Sequence, residues 1–326
     1  MKILVTGSSG FIGRWLCKQL FEAGFEVIGL DRVEPQNPSL MHRFVKSDIL
    51  DGCELKRAFN QIMPDAIIHL AARIDLDERE SIAGYATNVD GVKNLIEAIQ
   101  ECRTVRRAIF TSSQLVCRVG HVPMSETEYC PNTLYGRSKV MTEQLVRDRN
   151  GGNVEWCLVR PTTVWGPYMS SHYQHMLHLI RKGWYFHCGN GQLLKSYVYV
   201  ENIAHQYLGL LTADRAAIYG QTFYLADYEP LSLREYTIAL GREMNAPQIP
   251  TLPISLARVL ARAGDLINWT GIARFPFNTF RLNNILTEYI FDVTRTASVC
   301  GPALVSQQEG IRRTAKWFME SPDCNP

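Results

Sequence analysis

The sequence predicts an α/β chain: a doubly wound parallel sheet followed by a smaller, mostly helical C-terminal domain. Three observations predict it. Short Val-, Ile- and Leu-rich runs alternate with helix-length amphipathic segments over the first 160 residues. The first run passes at once into a glycine-rich turn. After Arg160-Pro161 the alternation stops and helical segments take over. We place the division at 1–166 and 167–326, with a strand expected to return to the first part from about 196–226.

The elements follow in order. Lys2–Thr6 is β-prone and apolar, and Gly7-Ser8-Ser9-Gly10-Phe11-Ile12-Gly13 turns it into a helix carrying Trp15, Leu16, Leu20 and Phe21. Phe25–Leu30 is a second strand ending in Asp31, and His42–Lys46 a third, ending at Ser47-Asp48-Ile49. A helix spans about 53–62 with Pro64 as its stop, and 65–70 is apolar enough to be a strand buried on both faces. A long helix over 82–102, a strand at 107–111, a helix over 132–149 closed by Asn150-Gly151-Gly152, and a strand at 154–159 complete the alternation. Beyond it we expect helices at 171–182, 201–211, 232–244, 255–268 and 306–319, with strands at 196–200 and 221–226. Right-handed crossovers put ligands at the carboxyl ends of the parallel strands.

The glycine turn gives the first part its function. A strand, a tight turn and a helix start leave backbone N–H groups aimed outward, where the helix dipole favours a diphosphate. Spacing here is G-x-x-G-x-x-G, and Asp31 stands about 20 positions on, where a ribose 2′-hydroxyl binds. This is the pattern of a Rossmann-type dinucleotide domain. Asp31 favours NAD over NADP, since a 2′-phosphate would meet a like charge at a cost of about 1–4 kcal/mol. Arg14 and Arg32 are near enough in sequence to offset part of that preference.

Tyr135-Gly136-Arg137-Ser138-Lys139 is the candidate for chemistry. Positions i and i+4 share a helix face, so Lys139 lies one turn from Tyr135. A phenol of pKa near 10 is a weak base at neutral pH, and an ammonium with an oxidised nicotinamide would lower that value. Tyr135 could then exchange a proton with a hydroxyl whose carbon exchanges a hydride. Thr111-Ser112-Ser113, at the end of the fifth strand, offers a hydroxyl to steady the developing alkoxide.

Composition bounds the remaining classes. At 326 residues with 46% hydrophobic and 20% charged content, the chain reads as a soluble globular protein. A net charge of +2 points to neither nucleic acid nor membrane. No apolar run reaches the roughly 18 residues of a membrane span, and the N-terminus reads as a core strand instead of a signal peptide. Nine cysteines, odd in number and without a C-x-x-C pair, suit a reducing cytoplasm. No metal site is expected: His172, His175 and His178 are spaced so as to drift round their helix, and Cys117 reads as a packing residue.

These motifs resemble the extended short-chain dehydrogenase/reductases, in the NAD-dependent epimerase/dehydratase family of sugar-nucleotide enzymes. The segments that carry the likeness are T-G-S-S-G-F-I-G (6–13), Asp31, S-D-I (47–49), H-L-A-A (69–72), T-N-V-D-G (87–91), T-S-S (111–113) and Y-G-R-S-K (135–139). R-P-T-T-V-W-G-P (160–167) and S-Y-V-Y-V-E-N-I-A (196–204) extend it into the second half. The resemblance implies Ser113, Tyr135 and Lys139 as catalytic residues. It implies a cofactor held by Gly7, Gly10, Phe11, Ile12, Gly13, Asp31, Arg32, Asp48, Ile49, Leu70, Ala71, Ala72, Asn88, Thr111, Pro161 and Thr163, with Tyr135 and Lys139. Asp48 and Ile49 would flank adenine, and Asn88 would stand behind the nicotinamide side. Ser113, Gln114, Thr163, Lys195 and Arg281 would meet a nucleotide-sugar substrate, and the 82–102 and 132–149 helices would form a homodimer.

Departures from the family pattern narrow the reaction. Gln114-Leu115 stands where 4,6-dehydratases of this family carry an Asp-Glu pair, so no acid is placed there to expel a hydroxyl. Epimerisation at C4 needs only oxidation, rotation and re-reduction, and is the favoured reading. Alternatives are a reductase or dehydrogenase of a keto sugar, a steroid-like or another small alcohol, or a cofactor-sensing regulator. Against a UDP-galactose-type enzyme stand Val116-Cys117-Arg118, Thr163 in place of Asn, and Lys195 in place of an Arg able to fork a diphosphate. Arg274 and Arg281 are candidates for a substrate phosphate or for surface salt bridges.

Overall fold

A computed structural model describes residues 1–270, 275 and 277–321, with His172 by its backbone only. Its centre is a seven-stranded sheet of β1 (Lys2–Thr6), β2 (Glu26–Asp31), β3 (Arg43–Lys46), β4 (Ala66–His69), β5 (Arg107–Thr111), β6 (Glu155–Pro161) and, from later in the chain, β9 (Thr222–Leu225). The order is β9-β6-β5-β4-β1-β2-β3, with every pairing parallel. Order reverses between β1 and β4, so a crevice opens above their carboxyl ends.

Strand alternation divides the core. Ile3 and Val5 of β1 point to one face with Leu16 and Leu20 of α1 (Phe11–Glu22) and Ile203, Tyr207 and Leu210 of α6 (Val200–Thr212). Leu4 points to the other, with Leu55 and Phe59 of α2 (Gly52–Ile62), Val92, Leu95 and Ile96 of α3 (Ala86–Glu101) and Val146 of α4 (Leu134–Asp148). The period of two in the strand is what buries both faces.

The expected strand at 221–226 forms as β9 and lies on the open edge of β6, so the second half of the chain completes the first half's sheet. The expected strand at 196–200 forms as β8 (Tyr197–Tyr199) but pairs with the short β7 (Thr163–Trp165) outside the main sheet. The helix expected over 82–102 opens with a tight turn at Ile82–Tyr85 before α3 begins. Its Ser81 side chain caps the Ala83 N–H, and the Tyr85 hydroxyl donates to the Asp75 carbonyl at 2.7 Å.

A third cluster joins Trp165 and Tyr199 to α5 (Ser171–Arg181), α7 (Leu233–Glu243) and α11 (Gln307–Glu320) through Leu177, Tyr236 and Phe318. α8 (Ile254–Thr270), α9 (Thr279–Leu286) and α10 (Thr294–Cys300) complete the helical half. Among the described residues no helix is long and apolar enough to cross a membrane.

Candidate active site

The glycine turn sits in the β1–β4 crevice for steric reasons. Gly7 has φ +72°, and a Cβ there would lie 2.6 Å from the Ala71 nitrogen and 2.8 Å from the Leu70 carbonyl carbon. A Cβ on Gly13 would lie 2.2 Å from the Gly7 oxygen. Each glycine therefore permits a backbone approach that an alanine would block. Gly10 precedes α1 without a side-chain cap, and no acidic residue lies in the first turn. The N–H groups of Phe11 and Ile12 are so offered to an anion, which fits a dinucleotide diphosphate.

Asp31 is tied to this turn. One carboxylate oxygen accepts from the Ser9 N–H at 3.1 Å and the other from Val33 N–H at 3.1 Å. Arg32 turns to Asp48 at 3.5 Å, while Asp48 also accepts from the Leu50 N–H at 2.9 Å. Arg14 donates to Gln36 at 3.1 Å and lies 4.6 Å above the Tyr168 ring. Ile49 is buried and packs into the space left by Gly91. Beneath Ala71-Ala72, Asn88 braces the backbone of Arg73, accepting from its N–H at 2.8 Å and donating to its carbonyl at 3.0 Å and to Ser138 at 2.9 Å.

α4 carries the candidate residues on one face: Tyr135, Lys139 and Glu143 follow at i, i+4 and i+8, all buried. The Thr133 hydroxyl caps its start through the Gly136 N–H at 3.0 Å. A Cβ on Gly136 would stand 2.3 Å from the Leu115 carbonyl oxygen. This close seating brings α4 against the Ser113 turn, whose hydroxyl accepts from Leu115 N–H at 3.1 Å. Lys139 donates to the Thr111 carbonyl at 3.0 Å, whereas the Thr111 hydroxyl turns into the core to Tyr207 at 2.8 Å.

Burial governs the titration of this pair. It pushes the Tyr135 phenol up to about 12, with a hydrogen-bonding interaction with Ser113 pulling the other way. It brings Lys139 down to about 8 against the opposing charge of Glu143. Among the protein's own groups, desolvation of the phenolate outweighs the bond to Ser113, and the lowering expected from Lys139 acting with an oxidised nicotinamide concerns the cofactor-bound state. Below the pair, Arg160 and Glu143 form a fully buried ion pair with two 2.8 Å bonds. His69 accepts or donates at 2.7 Å with Thr6 and is held neutral, brought down to about 3 by burial and the nearby Lys139.

The surroundings of the Tyr135 ring are phenolic. Tyr85 lies 6.0 Å from the Tyr135 ring, and Tyr173 is close enough to act on its charge. The Thr163 side chain interacts with Tyr173 and Tyr289, and Tyr289 also with Tyr197 and Gln114. Lys195 is 3% exposed, donates to the Asn284 carbonyl and lies 5.0 Å over the Tyr289 ring, and burial lowers it to about 8. Arg281 is half-buried on α9, where its N–H is capped by Asn278 at 2.9 Å. Arg274 lies outside the described residues. Pro161 ends β6 at the same rim.

Sequence reasoning missed Tyr173, Tyr197, Tyr289 and Glu143. Glu143 had a signal, since it extends the Tyr135–Lys139 helical step. Tyr289 had none: it arrives through a single bridge to Lys195, 94 positions away.

Comparison with known proteins agrees with this geometry. The model of the NAD dependent epimerase/dehydratase family matches residues 3–226. A 3-beta-hydroxysteroid dehydrogenase of Mycolicibacterium neoaurum is 31% identical, over 74% of this chain and 71% of its own. A 2-alkyl-3-oxoalkanoate reductase of Stenotrophomonas maltophilia is 28% identical, over 96% and 98%. The UDP-glucose 4-epimerase of Thermus thermophilus, solved with NAD, superposes with a TM-score of 0.74 at 21% identity, covering 98% of this chain and all of its own, and so shares the fold. With its glycine turn, switch point and Ser-Tyr-Lys arrangement in the family's order, the chain belongs to the NAD dependent epimerase/dehydratase family.

Proposed function

We propose that this chain is an NAD-dependent dehydrogenase or reductase that interconverts a secondary alcohol and its ketone on a carbon skeleton lacking a nucleotide diphosphate. One observation carries the reading. The groups around Ser113 and Tyr135 are phenols, a hydroxyl and an amide, while Lys195, the cation expected to meet a diphosphate, is buried against Tyr289 and bonded to the Asn284 carbonyl. The two relatives named above support it, since a 3-beta-hydroxysteroid and a 2-alkyl-3-oxoalkanoate both carry the reacting oxygen on a largely apolar skeleton.

Gly7, Gly10 and Gly13, with Asp31 beside them, would hold NAD at the glycine turn, where its nicotinamide would supply the hydride chemistry. The chain's own residues manage the proton. Ser113 holds the substrate oxygen beside the Tyr135 hydroxyl. Tyr135, kept protonated at neutral pH by burial, donates to the ketone oxygen as negative charge develops there, and takes the proton back in oxidation. Lys139, anchored on the Thr111 carbonyl, sets its ammonium one helical turn away and favours the phenolate left behind.

The 4-epimerase of a nucleotide sugar, favoured by the sequence motifs, is the second reading. It uses the same three residues but needs cationic donors for a diphosphate, and Arg281 would have to serve alone among the candidates within the described residues. The homodimer implied by the resemblance, through the outer faces of α3 and α4, belongs to the same proposal.

A substrate panel separates the readings. A 3-hydroxysteroid with NAD, or a 3-oxoalkanoate with NADH, should give stoichiometric change in the nicotinamide, and UDP-sugars none. Tyr135→Phe should slow that turnover by about 10²–10⁴-fold with cofactor affinity unchanged. Interconversion of UDP-glucose and UDP-galactose without net nicotinamide turnover would overturn the proposal in favour of the epimerase.

A further inference from the structure

The segment between the catalytic serine turn and α4 contains a feature that hydride transfer does not use. Cys117 is buried directly after the Gln114–Val116 turn, and Cys130 returns beside it: their backbones pair, with the Arg118 N–H on the Cys130 carbonyl at 2.9 Å and the Cys130 N–H on the Val116 carbonyl at 3.0 Å. Between them a tight turn places His121, whose N–H bonds the Arg118 carbonyl at 3.1 Å. Ligand atoms of Cys117, His121 and Cys130 all lie within 4.8 Å of one another. In a tetrahedral zinc site with Zn–S near 2.3 Å and Zn–N near 2.0 Å, neighbouring ligand atoms stand about 3.3–3.8 Å apart. Closing on a metal therefore asks for side-chain movements of about 1 Å.

We propose that Cys117, His121 and Cys130 form a site for a thiophilic divalent cation, zinc by its ligand set, that fastens the 117–130 loop beside the catalytic turn. Two sulfurs and an imidazole select zinc over magnesium or calcium, which take oxygen ligands. Glu128 fits the role of a positioning residue. Its Oε1 meets His121 Nε2 at 2.6 Å, and its Oε2 accepts from the Met124 N–H at 2.7 Å. A carboxylate holding one ring nitrogen leaves Nδ1 for the metal, the arrangement that commonly orients zinc-bound histidines. Three protein ligands leave the fourth position to water. Each thiol gives up its proton as its sulfur binds, so uptake of one zinc through both cysteines releases two protons.

The thiols also bond weakly without a metal: the Cys117 sulfur donates to the Glu128 carbonyl at 3.4 Å. A disulfide between Cys117 and Cys130 is the rival use of the pair, and it would not need His121 or Glu128. The test uses the full chain, purified with reductant, stripped by a chelator and titrated with zinc against a chromophoric competitor, then with cobalt(II) as a spectroscopic probe. One equivalent of zinc, two protons released, and a thiolate-to-cobalt charge-transfer band are expected. Cys130→Ser should abolish that band, and His121→Ala and Glu128→Gln should weaken zinc binding by about 10–100-fold. Cys53→Ser, at an exposed thiol away from the loop, should change nothing. Should Cys117→Ser fail to fold, zinc uptake and the cobalt spectrum of the unaltered chain still decide. Equal zinc uptake by the unaltered chain and Cys117→Ser/Cys130→Ser, no uptake by the reduced chain, or a Cys117–Cys130 disulfide that binds no zinc once reduced would each overturn the site.

Discussion

At Lys139, burial and charge oppose one another. The ammonium is 2% exposed, holds the Thr111 carbonyl at 3.0 Å, and has a pKa brought down to about 8 from 10.5. In the unfolded chain the same group keeps its ordinary value, so below pH 8 it is charged in both states and the folded state bears the desolvation. Between about pH 8 and 10.5 the unfolded chain binds the proton and the native one does not. The native penalty therefore disappears as pH rises through that window. Lys139→Met should accordingly stabilise the fold at pH 7 by about 1–3 kcal/mol, after allowance for the lost Thr111 bond, while turnover collapses. The gain should shrink toward zero near pH 10.5. Denaturant unfolding of both proteins at pH 7 and 10 checks this, and a Lys139→Met protein less stable than its parent at pH 7 would refute it.

Among the elements, α4 shows how much of the site was legible and why the rest was not. Tyr135 and Lys139 are local: helix spacing is a property of neighbouring residues, and sequence patterns report it. The order of strands and helices along the chain was equally legible, because alternating apolar runs and the glycine turn report it locally, whereas the reversal between β1 and β4 depends on which strands pair in space. Tyr289, Lys195 and Tyr173 meet through separate segments of the helical half, where no period links one to another, so the phenolic lining could not be foreseen. The upward push of burial on the Tyr135 phenol was hidden for a related reason, since desolvation depends on everything that packs over the ring. α4 is also fastened to β6 by Glu143 and Arg160, both fully buried, with the Tyr224 hydroxyl accepting from Arg160 at 3.0 Å and the Glu126 carbonyl accepting at 2.6 Å. Glu143→Gln leaves the guanidinium without its counter-charge and should cost about 3–5 kcal/mol in urea unfolding. Replacing both by apolar residues, Glu143→Leu/Arg160→Met, should recover most of that loss. A single-variant cost under about 1 kcal/mol would mean that Tyr224 and Glu126 suffice for Arg160.

On the scale of the whole molecule, the chain doubles back on itself. Sequence patterns divide it at residue 166 with a later strand expected to return, and β9 from 222–225 does lie along β6, with Phe223 opposite Val159 and Leu225 opposite Pro161. α6 covers the sheet face that α1 also packs on, burying Ile203, Tyr207 and Leu210 among Val5, Ile68, Ile109 and Val159. α10 is bound to the same region, its Thr296 hydroxyl donating to the Tyr224 carbonyl at 2.7 Å and its Arg295 meeting Glu126 at 2.6 Å. A fragment of residues 1–166 would therefore expose one face of its central strands and the N–H and C=O row of β6 at once. Both are what a sheet must cover to remain folded and unaggregated. The two halves of the chain are thus one cooperative unit, in which helices from the second half stabilise the sheet of the first. We expect the 1–166 fragment to retain far-ultraviolet helical signal while losing near-ultraviolet signal and binding a hydrophobic dye, whereas the full chain melts in one sharp transition. A sharp cooperative melt of the fragment, with its near-ultraviolet spectrum intact, would show instead that the first 166 residues fold independently and that β9 and α6 are additions to a finished domain.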